Sequence, residues 1–376
     1  MSGVSGFDSQ CMSRALELAE RGLTTTNPNP RVGCVIAKDG TVISEGWHER
    51  AGEPHAEIHA LRGAGEAARN ATMYVTLEPC THFGRTPPCV DAVIASRVAR
   101  VVCAMSDPNP RVSGEGIKRL RAAGIDVTAG LLETEARALN NGYVQRMEKG
   151  LPWVRLKLAA SLDGRIALAD GTSRWITGAA ARADVQRWRA RSSAILTGAA
   201  TVLRDDPQLN VRLDDGKPAE RQPLRVIADS ELRTSPAARV LSPPGQVMIF
   251  AARPAGAARS RLESRGACIE TVPAAPGGID LSAVMRRLGE LEVNEVWVEA
   301  GARLAGALIS ARLVNELVVY FAPDLLGDKA RGMFELPELF ALEGKWPLKF
   351  ADVRLIGRDL RVIAECLPES SRPSAP

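Results

Sequence analysis

His55 and Glu57, followed by Cys80 after Pro79 and Cys89 after Pro88, constrain this 376-residue chain more than any other feature. Imidazole and thiolate are donors that zinc prefers, in tetrahedral sites that keep one position open when they are catalytic. One histidine and two cysteines supply three donors, so the fourth position is left to water. Three donors so far apart in sequence converge only if their segments end at one rim of a shared scaffold. Cys89 follows a proline at an expected helix start, where the helix dipole favours a thiolate. Cys80 is expected to end a strand and His55 to begin a helix, which brings the donors to one edge of a sheet. Glu57 then points at the bound water rather than ligating the metal. A closed structural site would need His59 or His82 as a fourth donor. His59 stands four residues after His55, but the order is H-A-E-I-H and not the H-E-x-x-H of a metalloprotease helix, so packing is its expected role.

The rest of the first 150 residues fits such a scaffold. Apolar periodicity and turn residues predict helices at 8–22, 55–70, 88–96 and 114–123, and a long polar-faced helix at 131–149. Strands are expected at 32–37 and 41–46, joined as a hairpin through Asp39 and Gly40, and at 72–77, 98–106 and 125–129. Strands alternating with helices make an α/β layer fold. A boundary is expected around Gly150 to Pro152, dividing the chain into domains 1–150 and 151–368, with a Ser- and Pro-rich tail, 369–376, expected to be disordered. In the second domain strands are expected at 153–158, 194–197, 224–228, 247–251, 293–298 and 316–321. An antiparallel pair, 348–356 and 360–366, should close it.

Composition narrows the function classes. The 48 basic and 44 acidic residues leave a net charge of only +4, with no basic run that reads as a nucleic-acid stripe. A small anionic substrate suits that balance better than a polyanion. No apolar stretch approaches 18 residues, which argues against a membrane span. The seven cysteines are odd in number and no secretory signal is evident, so free thiols and metal ligands in a cytoplasmic protein are expected rather than disulfides. Cys11, Cys34, Cys103, Cys268 and Cys366 read as core residues.

The H-x-E…P-C…C pattern is that of zinc nucleobase deaminases, with one departure. Eight residues separate the cysteines instead of two, inserting 81–88 (THFGRTPP). The chemistry implied is unchanged: Glu57 takes a proton from the attacking water and returns it to the departing ammonia. The runs 54–61 (PHAEIHAL), 76–89 (TLEPCTHFGRTPPC), 27–34 (NPNPRVGC), 107–110 (DPNP) and, past the boundary, 157–164 (KLAASLDG) resemble the bifunctional riboflavin-biosynthesis deaminase/reductase family. That resemblance implies a cytidine-deaminase-like three-layer domain followed by a dihydrofolate-reductase-like α/β domain. The first would hydrolyse the 2-amino group of 2,5-diamino-6-(5-phosphoribosylamino)pyrimidin-4-one at zinc. The second would reduce the ribosyl group of the product to ribityl with NADPH. A homo-oligomer is also implied. The alternative, a nucleic-acid or tRNA deaminase with an accessory binding domain, calls for a basic groove and a compact P-C-x-x-C, neither of which the sequence has.

Candidate residues follow for that substrate. His48, His82 and Arg85 are potential cations for its 5′-phosphate, and Asn29 can bond the pyrimidine edge. In the second domain the G-x-G-x-x-A match at 63–68 lies inside an expected helix and is set aside. The run 296–309 (VWVEAGARLAGALI) passes from strand through Gly301 into a helix whose free N–H groups suit a pyrophosphate. By resemblance, Ala159, Trp175, Thr201, Asp205, Ser230, Gly301, Ala302, Arg303, Leu304, Ala305, Gly306 and Ala307 would lie along NADPH. Ser173, Arg189, Leu209, Arg212 and Glu299 would contact substrate, Arg189 and Arg212 being either phosphate anchors or solvated cations. Lys157, Asp205 and Glu299 are the polar groups expected to manage protons and charge during reduction.

Overall fold

A computed structural model describes residues 4–83, 87–110, 112–253 and 256–367; Arg85 and the tail 369–376 lie outside them. The chain divides into two compact units, Met1–Leu151 and Pro152–Pro376.

The first unit begins with helix α1 (Gly6–Glu20), opened by a reciprocal cap in which Ser5 and Asp8 each bond the other's backbone N–H. Next come β1 (Gly33–Lys38), β2 (Thr41–Trp47), α2 (Ala56–Ala64), β3 (Thr72–Val75), α3 (Cys89–Ala95), β4 (Arg100–Cys103), α4 (Glu115–Ala122), β5 (Asp126–Ala129), α5 (Glu133–Leu139) and α6 (Asn141–Lys149). The strands form one sheet in the order β2-β1-β3-β4-β5. Asp39 and Gly40, both at positive φ, turn the β1–β2 hairpin. Strands β3, β4 and β5 run parallel, so their carboxyl ends share one edge. Met12, Leu18, Ile36, Met73 and Leu120 are fully buried in the core.

Two elements differ from expectation. The segment 131–149 is not one helix: α5 ends and α6 begins around Asn140. That buried amide accepts from the Arg31 N–H at 2.8 Å and donates to the Arg31 carbonyl at 2.8 Å. The Arg31 guanidinium in turn caps the Leu139 carbonyl. Nor is this region polar-faced, since Ala136, Tyr143 and Val144 are buried. Strand β3 stops at Val75, so Cys80 sits in a loop past the strand rather than at its end.

The second unit contains β6 (Trp153–Ser161), β7 (Arg165–Ala167), α7 (Ala179–Arg191), β8 (Ala194–Gly198), α8 (Ala199–Asp205), β9 (Leu224–Ala228), β10 (Val247–Ala251), α9 (Gly256–Glu263) and β11 (Ala267–Thr271). After these follow β12 (Ala274–Ala275), β13 (Gly278–Ile279), α10 (Leu281–Glu290), β14 (Glu295–Glu299), α11 (Ala302–Ser310), β15 (Glu316–Ala322), β16 (Arg331–Gly332), β17 (Leu348–Ile356) and β18 (Asp359–Cys366). Nine strands make one sheet in the order β11-β10-β9-β8-β14-β6-β15-β18-β17. From β11 through β15 it is parallel, and β18 and β17 add an antiparallel hairpin. β10 is buried along its whole length, as its unbroken apolar run requires of a doubly covered parallel strand. Strands β7, β11, β12, β13 and β16 were not expected. No helix among the described residues is long and apolar enough to cross a membrane.

Candidate active sites

In the first unit the sequence places each donor at a loop-to-helix junction. His55 is the N-cap residue of α2, Glu57 lies in that helix's first turn, and Cys89 opens α3 behind Pro88. The donor atoms of His55, Cys80 and Cys89 lie within 4.8 Å of one another. His55 Nδ1 is 3.2 Å from Cys89 Sγ and 3.6 Å from Cys80 Sγ, and the Cys89 N–H donates to Cys80 Sγ at 3.3 Å. Tetrahedral zinc with ordinary Zn–N and Zn–S bonds separates such N and S atoms by about 3.6 Å. The spacing and the donor set therefore fit zinc. Hydrogen bonding from Cys89 and from His55 outweighs burial and holds the Cys80 thiol well below its usual range. Cys89, donating to Cys80 and buried, is held up.

Glu57 is buried, and burial first, with the Cys80 charge second, pushes its carboxyl up to about 7. His48 packs edge-to-face on His55 with ring centroids 5.1 Å apart. Its Nδ1 lies 3.2 Å from the Pro54 carbonyl and its Nε2 3.1 Å from the Asn29 amide. Burial above all lowers His48 to about 4, which favours its neutral ring. His82 Nδ1 is buried without a hydrogen-bond partner among the described residues. His59 packs against β2, its Cβ only 2.8 Å from where a Gly46 side chain would begin. Cys11, Cys34 and Cys103 are buried as expected, whereas Cys268 is exposed and Cys366 half-buried.

Glu78 was not singled out from the sequence. Its buried carboxylate accepts the backbone N–H groups of Asp107, Gly114 and Ile117 at 3.0, 2.9 and 3.1 Å, tying the loop before α4 to the segment that carries Cys80. An acid two residues before a metal-type cysteine is the only local signal, because its partners lie 29 to 39 residues further on. Gly116 belongs to the same joint: a Cβ there would stand 2.3 Å from the Pro79 carbonyl oxygen.

In the second unit the candidate residues gather at the carboxyl edge of the parallel strands, where open α/β sheets bind ligands. Ala159 is near the end of β6, Thr201 in the first turn of α8, and Ser230 just past β9. Gly301 is the N-cap residue of α11, and the space a Cβ would occupy there is open. α8 and α11 start from adjacent strands, with Leu304 packed so closely that a Cβ on Gly198 would lie 3.3 Å from it. Two helix N-termini preceded by glycine, Gly301 exposed and Gly198 half-buried, thus suit a dinucleotide's phosphates. Trp175 is 72% exposed and held by the Arg182 guanidinium 4.6 Å from its ring, and Ser173 is half-buried nearby in sequence. Asp205 ends α8, and its carboxylate has no hydrogen bond or ion pair among the described residues.

Glu299 ends β14 directly opposite Lys157 of β6. Arg189 grips it with two hydrogen bonds, Nε to Oε1 at 2.6 Å and Nη2 to Oε2 at 2.9 Å. Despite burial, Arg189 and Lys157 hold the Glu299 carboxyl down to about 2, so it stays ionised and cannot donate a proton at neutral pH. Its pairing also removes Arg189 from the free cations expected for a phosphate. Arg212 has no acidic partner among the described residues, bonds only Asn210 Oδ1 through its guanidinium, follows the buried loop residues Leu209 and Asn210, and lies close enough to Arg189 and Glu299 to feel their charges. Lys157 is pulled below its usual range by burial and by Arg189, with Glu299 opposing.

Comparison with known proteins covers both units. A family model described as "RibD C-terminal domain" matches residues 152–362, and one described as "Cytidine and deoxycytidylate deaminase zinc-binding region" matches residues 5–105. The riboflavin biosynthesis protein RibD of Escherichia coli is 52% identical, over 94% of this chain and 98% of that protein. The solved structure of Acinetobacter baumannii RibD aligns with a TM-score of 0.90 at 44% identity, covering 96% of this chain and 99% of that one. A Thermotoga maritima diaminohydroxyphosphoribosylaminopyrimidine deaminase/5-amino-6-(5-phosphoribosylamino)uracil reductase aligns at 0.84 and 34% identity, over 96% and 99% of the two chains.

Proposed function

Because this chain belongs to the RibD family of riboflavin-biosynthesis proteins, we infer that its two sites carry the family's two steps in the manner their geometry supports. The protein is a bifunctional enzyme, a zinc-dependent deaminase of a diaminopyrimidine and a reductase of the ribosyl group of the product. The observation that carries the deaminase assignment is the convergence of His55, Cys80 and Cys89 beside buried Glu57.

His55, Cys80 and Cys89 would hold zinc, which would supply the Lewis acid that makes water nucleophilic near neutral pH. Glu57 takes the proton of the attacking water and delivers it to the amino group leaving as ammonia. Neutral His48 fixes the Asn29 amide, whose remaining hydrogen-bonding capacity addresses the pyrimidine edge. We assign His82, and Arg85 outside the described residues, to the substrate phosphate, and leave His48 to the Asn29 amide.

In the second unit, Ala159, Trp175, Thr201, Asp205, Ser230 and residues 301–307 would hold NADPH, which would supply the hydride. Lys157, desolvated beside Glu299, delivers a proton as the ribose ring opens. Arg189 and Glu299 orient the substrate as a locked pair, Arg212 takes the phosphate, and Ser173 and Leu209 complete the substrate contacts. Asp205 contributes a free carboxylate at the cofactor edge. A cytoplasmic setting is supported by seven unpaired cysteines. A second copy of the chain is the expected partner, because edge strand β17 exposes Phe350, Val353 and Leu355. Light scattering of the purified protein tests this; a monomer at micromolar concentration would refute it.

The test of the whole reading is to supply the diaminopyrimidine to the purified full chain, following ammonia release and NADPH oxidation separately. Both are expected, ammonia first. A nucleic-acid deaminase would instead bind tRNA with strong salt dependence and leave NADPH untouched.

A further inference from the structure

Beneath helix α7, β14 turns an unusual row of side chains to one face of the sheet. Alternation puts Glu295, Trp297 and Glu299 on that face, and all three are buried or nearly so. Trp297 is fully buried and stacks flat on Trp188 of α7, with ring centroids 5.5 Å apart and planes 5° from parallel. The Trp188 ring also lies beneath the guanidinium groups of Arg155 and Arg191, at 5.4 and 5.1 Å. Glu295 holds both of those arginines, Arg155 at 2.5 Å and Arg191 at 3.3 Å.

The consequence reaches the catalytic edge. The Trp297 indole N–H donates to Glu299 Oε1 at 2.9 Å, the same oxygen that receives Arg189 Nε. Arg189 and Trp188 are neighbours on α7, so one stacked ring fixes the helix while its partner ring fixes the carboxylate that the helix must meet. A carboxylate held by Arg189 alone could pivot about that fork. The third donor, rooted in an immobile ring, removes this freedom and sets the carboxylate opposite Lys157.

We propose that Trp297 is a positioning residue for the reductase: its N–H, anchored by the stack on Trp188, holds Glu299 against Arg189 and opposite Lys157. This rests on the reading of Glu299 and Lys157 as part of the reductase site. The test is Trp297→Phe in the full chain, which keeps an aromatic ring and removes the donor. The expected result is a fall in kcat for NADPH-dependent reduction of about tenfold or more, as for other outer partners of site residues. KM for NADPH and the rate of ammonia release should stay at parental values. Combined with Glu299→Gln, the tryptophan change should add little, because both act through one carboxylate.

Several outcomes would overturn the proposal. Parental reduction by Trp297→Phe alongside an impaired Glu299→Gln refutes the role of Trp297 and leaves the site reading standing. Fully multiplicative losses in the double variant refute action through Glu299. Parental reduction by Glu299→Gln refutes the site reading, and the proposal with it. If the phenylalanine variant fails to fold, 3-benzothienylalanine at position 297 repeats the test, with sulfur replacing N–H in a ring of the same shape.

Discussion

His55, Cys80 and Cys89 announce a metal because few other roles need those donors next to prolines and an acid. Glu57→Gln should therefore cut ammonia release by roughly 10²- to 10⁴-fold, the usual weight of a general acid–base group. Reduction of a supplied deaminated intermediate should proceed at the parental rate, and equal loss of both activities would contradict the assignment. His48 shows the opposite case, since the burial that chiefly lowers its pKa is invisible in sequence. Arg189 and Glu299 were each legible as polar candidates. That they neutralise one another across 110 residues was not. Asp8 is a further example: in sequence only the first residue of an expected helix, it bonds the Ser5 N–H and accepts from Tyr74 at 2.7 Å and Arg100 at 2.9 Å. Burial opposes ionisation, but the Ser5 N–H, Tyr74 and Arg100 together hold it down to about 2. A depressed folded-state value stabilises the protein fully above the unfolded value of about 4 and is lost as pH falls toward about 2. Asp8→Asn should lower the melting temperature at neutral pH and flatten its decline between those two values. An unaltered acid profile in calorimetry would show that the contacts of Asp8 contribute nothing to folding.

Elements were legible where a local period defines them. The β1–β2 hairpin follows from Asp39 and Gly40, and the β17–β18 pair from the turn at Gly357. What failed was any boundary set from far away. The division of 131–149 at Asn140 depends on the backbone of Arg31, and no window on the helix itself contains that partner. β11 is a short edge strand whose alternation, Ala267 and Ile269 inward and Cys268 outward, is brief enough to pass for loop. The loop carrying Cys80 is likewise shaped by α4, through Glu78 and Gly116. Gly116→Val should push the Pro79 carbonyl away, since even a Cβ stands 2.3 Å from it. The expected result is a loss of bound zinc, read by metal analysis, with reduction unaffected. Full zinc content in the folded variant would show that the loop yields without moving Cys80.

For the whole molecule, two units of different sheet topology account for two chemistries in one chain. Stripping zinc with a strong chelator should abolish ammonia release and spare NADPH oxidation on the deaminated intermediate. Concurrent loss of both would place the metal in the reductase as well. The sequence revealed the pair of activities through its motifs, and it revealed that they share a polypeptide. The covalent link carries a kinetic meaning of its own. Every ribosome that makes one site makes the other, so the two occur in fixed one-to-one stoichiometry whatever the level of expression. The steady-state pool of the deaminated intermediate then depends on the ratio of two catalytic constants, and more protein raises flux without raising that pool. Regulation of transcription can change how fast this chain works, but only substitutions at one site or the other can change how much intermediate escapes.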